Sequence, residues 1–135
     1  MNVFIVGAGP GDPELITVKG QKLLSEADVI IYAGSLVNPA LLDYAKAGCE
    51  IHNSASMTLP QVINVIEDSV KQGKMVVRLH TGDPSIYGAI QEQMDALDKL
   101  GIEYKVVPGV SSFLATAAAL KQEYTLPGIS QTVII

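Results

Sequence analysis

Three stretches punctuated by glycine and proline carry the residue types in this 135-residue chain that suit ligand chemistry. The first, Gly7-Ala8-Gly9-Pro10-Gly11-Asp12-Pro13, begins like a dinucleotide-binding turn, where glycines let backbone amides approach a pyrophosphate at a helix start. Two residues depart from that chemistry. Asp12 stands where the third glycine belongs and competes with an anion for the positive end of the helix dipole, and Pro10 removes one backbone donor. The second stretch is Thr81-Gly82-Asp83-Pro84-Ser85-Ile86-Tyr87-Gly88, and the third is Pro108-Gly109-Val110-Ser111-Ser112; neither holds a Lys or Arg. Backbone amides, hydroxyls and one carboxylate suit a neutral nucleoside or a cationic group such as an adenosyl sulfonium, and suit a triphosphate poorly. Two further readings stay open here: Asp83 capping its own turn and Tyr87 packing against a sheet.

Other reactive side chains point to less. Cys49 and His52 lie three apart in a strand-like segment, so they do not share a face and make a poor metal pair; no metal site is expected. Ser111 and Ser112 lack the G-x-S-x-G elbow of a hydrolase nucleophile. His80, beside the Thr81 loop, is equally suited to a functional role and to backbone hydrogen bonding.

Positioning such loops requires strands that end where they begin. Short β-branched runs at 3–6, 29–32, 50–52, 75–79 and 103–107 alternate with segments of helical period, the pattern of an α/β fold with a mostly parallel five-stranded sheet and helices on both faces. In such sheets ligands bind at the carboxyl ends of the strands, which is where the loops after strands one, two, four and five fall. Asp12 and Pro13 open a helix reaching to about residue 27, with Leu15, Val18, Leu23 and Leu24 facing the sheet and Gly20 weakening it. Asn38-Pro39 starts a short helix ending near Gly48. Thr58 caps a longer one in which Leu59, Val62, Ile63, Ile66 and Val70 recur at helical steps before Gly73. Helices are also expected over 89–100 and 110–120.

Composition narrows the class. The chain fits a single domain, 1–135, and its longest apolar runs, such as Val3-Phe4-Ile5-Val6, are strand-sized, so no membrane segment is expected. The start Met1-Asn2-Val3 lacks the basic region of a secretory signal, which favours a cytoplasmic address. A single cysteine excludes internal disulfides and a zinc knuckle. A net charge of −5 with nine scattered Lys and Arg offers no basic stripe, so nucleic acid is not an expected partner. The closing run Thr132-Val133-Ile134-Ile135 has no turn signal after it, and continuation into a further domain is expected.

With these loops in place the chain resembles the tetrapyrrole methylase family along nearly its whole length. Val6 to Pro13 with Leu15 and Thr17 is similar to that family's first motif, Gly82-Asp83-Pro84 with Tyr87-Gly88 to its central one, and Pro108 to Ser112 to its third. Tyr32-Ala33-Gly34-Ser35-Leu36-Val37, Ser54 to Leu59, Arg78-Leu79-His80 and Ser130 to Val133 resemble the branch that methylates a precorrin at C11 in cobalamin synthesis. The resemblance implies the N-terminal domain of a two-domain fold, S-adenosylmethionine as cofactor, a tetrapyrrole (precorrin) substrate and a homodimer. Carried over motif by motif, the cofactor-binding positions are Pro10, Thr81, Gly82, Asp83, Ile86, Ser111 and Ser112. No catalytic base carries over, because Ala33 stands where the uroporphyrinogen branch has an aspartate. A different class of function, an adenosyl-binding module that catalyses nothing, is the competing expectation.

Overall fold

Each β-branched run forms a strand in the computed structural model, which describes all 135 residues. The strands are β1 (Val3–Gly7), β2 (Val29–Tyr32), β3 (Glu50–Asn53), β4 (Val76–His80) and β5 (Tyr104–Val107). They pair in the order β3-β2-β4-β1-β5, and every neighbouring pair is parallel. All five carboxyl ends therefore lie along one edge of the sheet.

The chain steps from β1 through β2 to β3 toward one side of the sheet and then returns to β4 and β5 toward the other. Right-handed crossovers place the connections of the two halves on opposite faces. On one face α1 (Val18–Glu26) and a 3₁₀ turn at Pro39–Tyr44 bury Leu23, Leu24 and Leu41 against Val6, Ile30, Val77 and Leu79. On the other, α2 (Leu59–Lys71) and α3 (Ile90–Lys99) bury Val62, Ile63, Ile66 and Leu97 against Val3, Val29, Ile31 and Val76. Each such fully buried Leu or Ile contributes on the order of 1.5–3 kcal/mol. Side chains alternate along β4, so Arg78 and His80 join Val76 on the α2/α3 face and are buried with it.

Local signals explain most boundaries. Thr58 and Gln61 form a reciprocal capping box at the start of α2. The expected first helix is instead two pieces. Asp12 does cap a start, accepting from Glu14 N at 2.9 Å, but the 3₁₀ turn Pro13–Leu15 stops at Ile16 in extended backbone. Thr17 then caps α1 through Gly20 N at 3.0 Å. This break turns Leu15 and Val18 outward, at 42% and 67% exposure, and hands their expected place to Ile16 and Gly20. Gly20 lets α1 sit close to the sheet, since a Cβ there would lie 3.0 Å from the Ile16 side chain and 3.1 Å from that of Val6. The segment after Asn38 is the 3₁₀ turn alone, capped by the Asn38 side chain. α4 (Ser112–Leu120) follows β5 and buries only Ala117 along its length. No helix is long and apolar enough to cross a membrane.

Candidate functional site

Backbone hydrogen bonds tie the loop after β1 to the loop after β4. Ala8 N donates to His80 O at 2.6 Å, Gly82 N to Gly9 O at 2.8 Å, and Gly9 N to Gly82 O at 3.2 Å. The loop after β5 closes on both. A Cβ on Gly7 would lie 2.6 Å from Gly82 O and 2.7 Å from Gly109 Cα, so neither Gly7 nor Gly109 has room for a side chain. Asp83 completes the junction: Oδ2 accepts from Gly109 N at 2.9 Å and Oδ1 accepts from Ser85 N at 2.8 Å. Its carboxylate caps its own turn and, in addition, clips two loops that are 26 residues apart.

Beside this junction lies a cavity of about 380 Å³, within the range of small-molecule and cofactor sites. Its wall comes from Ala33 and Leu36 after β2, from Arg78, His80 and the β4 loop, from Gln93 on α3, and from Ser111 and Ser112 at the start of α4. Of the seven expected cofactor positions, Thr81, Gly82, Asp83, Ile86, Ser111 and Ser112 line it; Pro10 does not. Tyr87 also lines the rim, but it does not pack against the sheet, being 92% exposed. It sits at φ 54°, and Ala89 at φ 50°, each costing about 1 kcal/mol in a region disfavoured for side-chain-bearing residues. Cys49 and His52 lie elsewhere, His52 Nε2 pairing with Glu50 Oε1 at 2.7 Å.

Two hydroxyls on the wall have no use inside the protein. Thr81 Oγ1 is buried without a hydrogen-bond partner, and Ser111 occupies the N-cap of α4 without capping it. An unpartnered buried hydroxyl carries a desolvation cost of about 1–3 kcal/mol unless a ligand group meets it. Both hydroxyls, with the side-chain-free wall at Gly82 and the neutral Ile86, fit an adenosyl and amino-acid ligand.

The floor is of another kind. Arg78 Nε donates to Gln93 Oε1 at 3.0 Å and Nη1 to Ile31 O at 3.1 Å. With its oxygen so occupied, the Gln93 amide presents its NH₂ to Ala89 O at 3.2 Å and to His80 Nε2 at 3.3 Å. His80 Nε2 must then accept, which places the imidazole proton on Nδ1. Burial, and secondarily the Arg78 charge, lowers the His80 pKa to about 4, so the ring is neutral at neutral pH. Burial also lowers Arg78 to about 10, which leaves it charged. Sequence reasoning missed Gln93. Its signal was a polar residue on the buried side of a helix, spaced three from Ile90 and four from Leu97.

The profile describing tetrapyrrole (corrin/porphyrin) methylases matches residues 2–134. The chain belongs to the tetrapyrrole methylase family. Among its relatives, the cobalt-precorrin-4 C(11)-methyltransferase of Methanocaldococcus jannaschii is 66% identical over 98% of this chain and 51% of that protein. The crystal structure of a cobalt-precorrin-4 methyltransferase of cobalamin biosynthesis superposes with a TM-score of 0.95 at 52% identity, over 98% of this chain and 55% of that one. The uroporphyrin-III C-methyltransferase of Thermus thermophilus, solved with S-adenosylhomocysteine, gives a TM-score of 0.80 at 34% identity, over 98% and 53%. This tetrapyrrole methylase chain thus spans about half the length of the relatives it matches.

Proposed function

We propose that the protein is the N-terminal, cofactor-cradling domain of an S-adenosylmethionine-dependent C-methyltransferase of cobalamin biosynthesis that methylates precorrin-4 or cobalt-precorrin-4 at C11. The observation that carries this reading is the convergence of Thr81, Gly82, Asp83, Ile86, Ser111 and Ser112 on one cavity at the carboxyl edge of the sheet. The identity to the cobalt-precorrin-4 enzyme supports the choice of substrate. When bound, S-adenosylmethionine supplies an electrophilic methyl on sulfonium. The chain's own residues bind and orient: Thr81 and Ser111 offer hydroxyls, Gly82 leaves the wall without a side chain, and Ile86 excludes water from one side. Asp83 acts through the loop junction, with its remaining lone pairs free for a cationic group. Carbon methylation needs the attacking carbon held in line with the methyl, so positioning can supply about 7–11 kcal/mol of the barrier.

A cytoplasmic address and a homodimer are also part of this proposal. Calorimetric titration tests the cofactor: S-adenosylhomocysteine is expected to bind more tightly than NAD, and the reverse order would sink the assignment. The half-length span favours a second reading, in which this chain alone binds the adenosyl ligand without turnover. A radiolabelled methyl-transfer assay on the corrin precursor separates the two.

A further inference from the structure

The cavity floor holds two hydrogen-bond donors that no protein atom uses. Arg78 Nε and Nη1 have acceptors, but Nη2 has none. His80 Nε2 is taken by Gln93, which leaves Nδ1–H without an acceptor. Neither nitrogen is sealed in the interior, because the single buried side-chain atom lacking a partner is Thr81 Oγ1. Both residues line the cavity, and it is the open space beside them. They stand two apart on one face of β4 and point the same way.

The charge is also unanswered. Arg78 is only 6% exposed, and none of the protein's ion pairs includes it. Its protein partners are an amide oxygen and a backbone carbonyl. A buried cation costs stability unless an opposite charge meets it, and a purely structural role could be filled by a neutral donor. Gln93 meanwhile fixes the direction of both neighbours through a single amide, which suits a site built in advance for one planar acceptor.

We infer that Arg78 and His80 form a carboxylate anchor on the cavity floor, oriented by Gln93, that receives a carboxylate of the ligand occupying the site. The inference rests on the methyl-transfer reading above and deepens it. Two ligands of that reaction carry such a group: the tetrapyrrole, on its acetate and propionate side chains, and the amino-acid end of the cofactor. Arg78 and His80 are binding residues in this account, and Gln93 is a positioning residue.

The test titrates the full chain with three probes: uroporphyrin III, a tetrapyrrole polycarboxylate; S-adenosylhomocysteine, which has one carboxylate; and methylthioadenosine, which has none. Arg78→Gln and His80→Phe are expected to weaken a carboxylate probe by roughly ten-fold or more, the loss of a charge-assisted hydrogen bond, and to leave methylthioadenosine unchanged. A loss confined to uroporphyrin assigns the anchor to the tetrapyrrole, and a loss confined to S-adenosylhomocysteine assigns it to the cofactor; both support it. Unchanged affinity for the two carboxylates, or an equal loss for methylthioadenosine, overturns it. Should Arg78→Gln fail to fold, nuclear magnetic resonance of the His80 ring in the unsubstituted chain decides. A carboxylate against the ring raises its titration point and methylthioadenosine does not, whereas no movement with any probe overturns the anchor. If the unsubstituted chain binds neither carboxylate probe, the functional reading fails first and the anchor with it, an outcome distinct from intact binding that ignores Arg78.

Discussion

His80 makes the protein sensitive to acid in a defined window. The ring is 5% exposed and its pKa falls from 6.5 to about 4, first because burial disfavours the charged form and then because Arg78 stands beside it. As the pH drops below the unfolded value, the unfolded chain takes up a proton that the native chain refuses, so stability declines until the native ring also titrates. The sign is therefore a loss on acidification from about pH 6.5 toward about pH 4, levelling below that, and the shift corresponds to about 3 kcal/mol. Asp28 and Glu50, whose pKa values are lowered chiefly by Lys46 and His52 respectively, add an acid-side loss of the opposite origin. That loss is small, because both carboxylates are exposed and screened. His80→Gln removes the ring's contribution and leaves theirs. Urea denaturation across this pH range should show the unsubstituted chain losing about 3 kcal/mol more than His80→Gln. Parallel stability profiles for the two proteins, or a native His80 titrating near its ordinary value, would refute both the burial argument and the neutral tautomer drawn from Gln93.

Two substitutions probe the loop junction. Asp83→Ala removes the acceptor of Gly109 N and Ser85 N, so a stability loss of about 2–4 kcal/mol should accompany weaker S-adenosylhomocysteine binding; denaturation and titration check this, and unchanged stability would show that the clip holds nothing. Gly109→Ala forces a Cβ onto Gly82 O and Gly7 Cα, and it should cost about 1–3 kcal/mol with loss of adenosyl-ligand affinity; a stable variant with full affinity would mean that the three loops need not touch.

The sheet was legible because its signals are local. β-branched runs, caps and glycine stops fix each strand and α2 within a residue or two. The first helix was misread because Asp12 and Thr17 are both good caps, and the sequence does not say that the chain uses them in succession. The glycines were read for the wrong neighbour. Gly7 and Gly109 are needed where backbone meets backbone, a fact that depends on β1 lying between β4 and β5. Asp83 was placed in the right loop, but the clip to Gly109 joins segments whose proximity only the strand order creates.

The same distinction separates the two halves of the site. The proposed cofactor side is built mainly from loop backbone and hydroxyls, so its chemistry is written in contiguous Gly, Pro, Ser and Thr and can be read from short motifs. The floor is built from side chains on two elements, Arg78 and His80 on β4 and Gln93 on α3, which meet only after the strand alternates and the helix docks. On sequence alone Arg78 and His80 are polar residues in an apolar strand, with His80 equally suited to function and to backbone hydrogen bonding, and Gln93 is one polar residue among several on its helix. What distinguishes the floor is accounting over the finished fold. Once Gln93 has spent its oxygen on Arg78 and its nitrogen on His80 and Ala89, guanidinium N–H groups, including both on Nη2, and one imidazole N–H remain on two residues that line the cavity. A network satisfied in every direction but one specifies a ligand through the direction left open, and here that direction asks for an acceptor carrying negative charge.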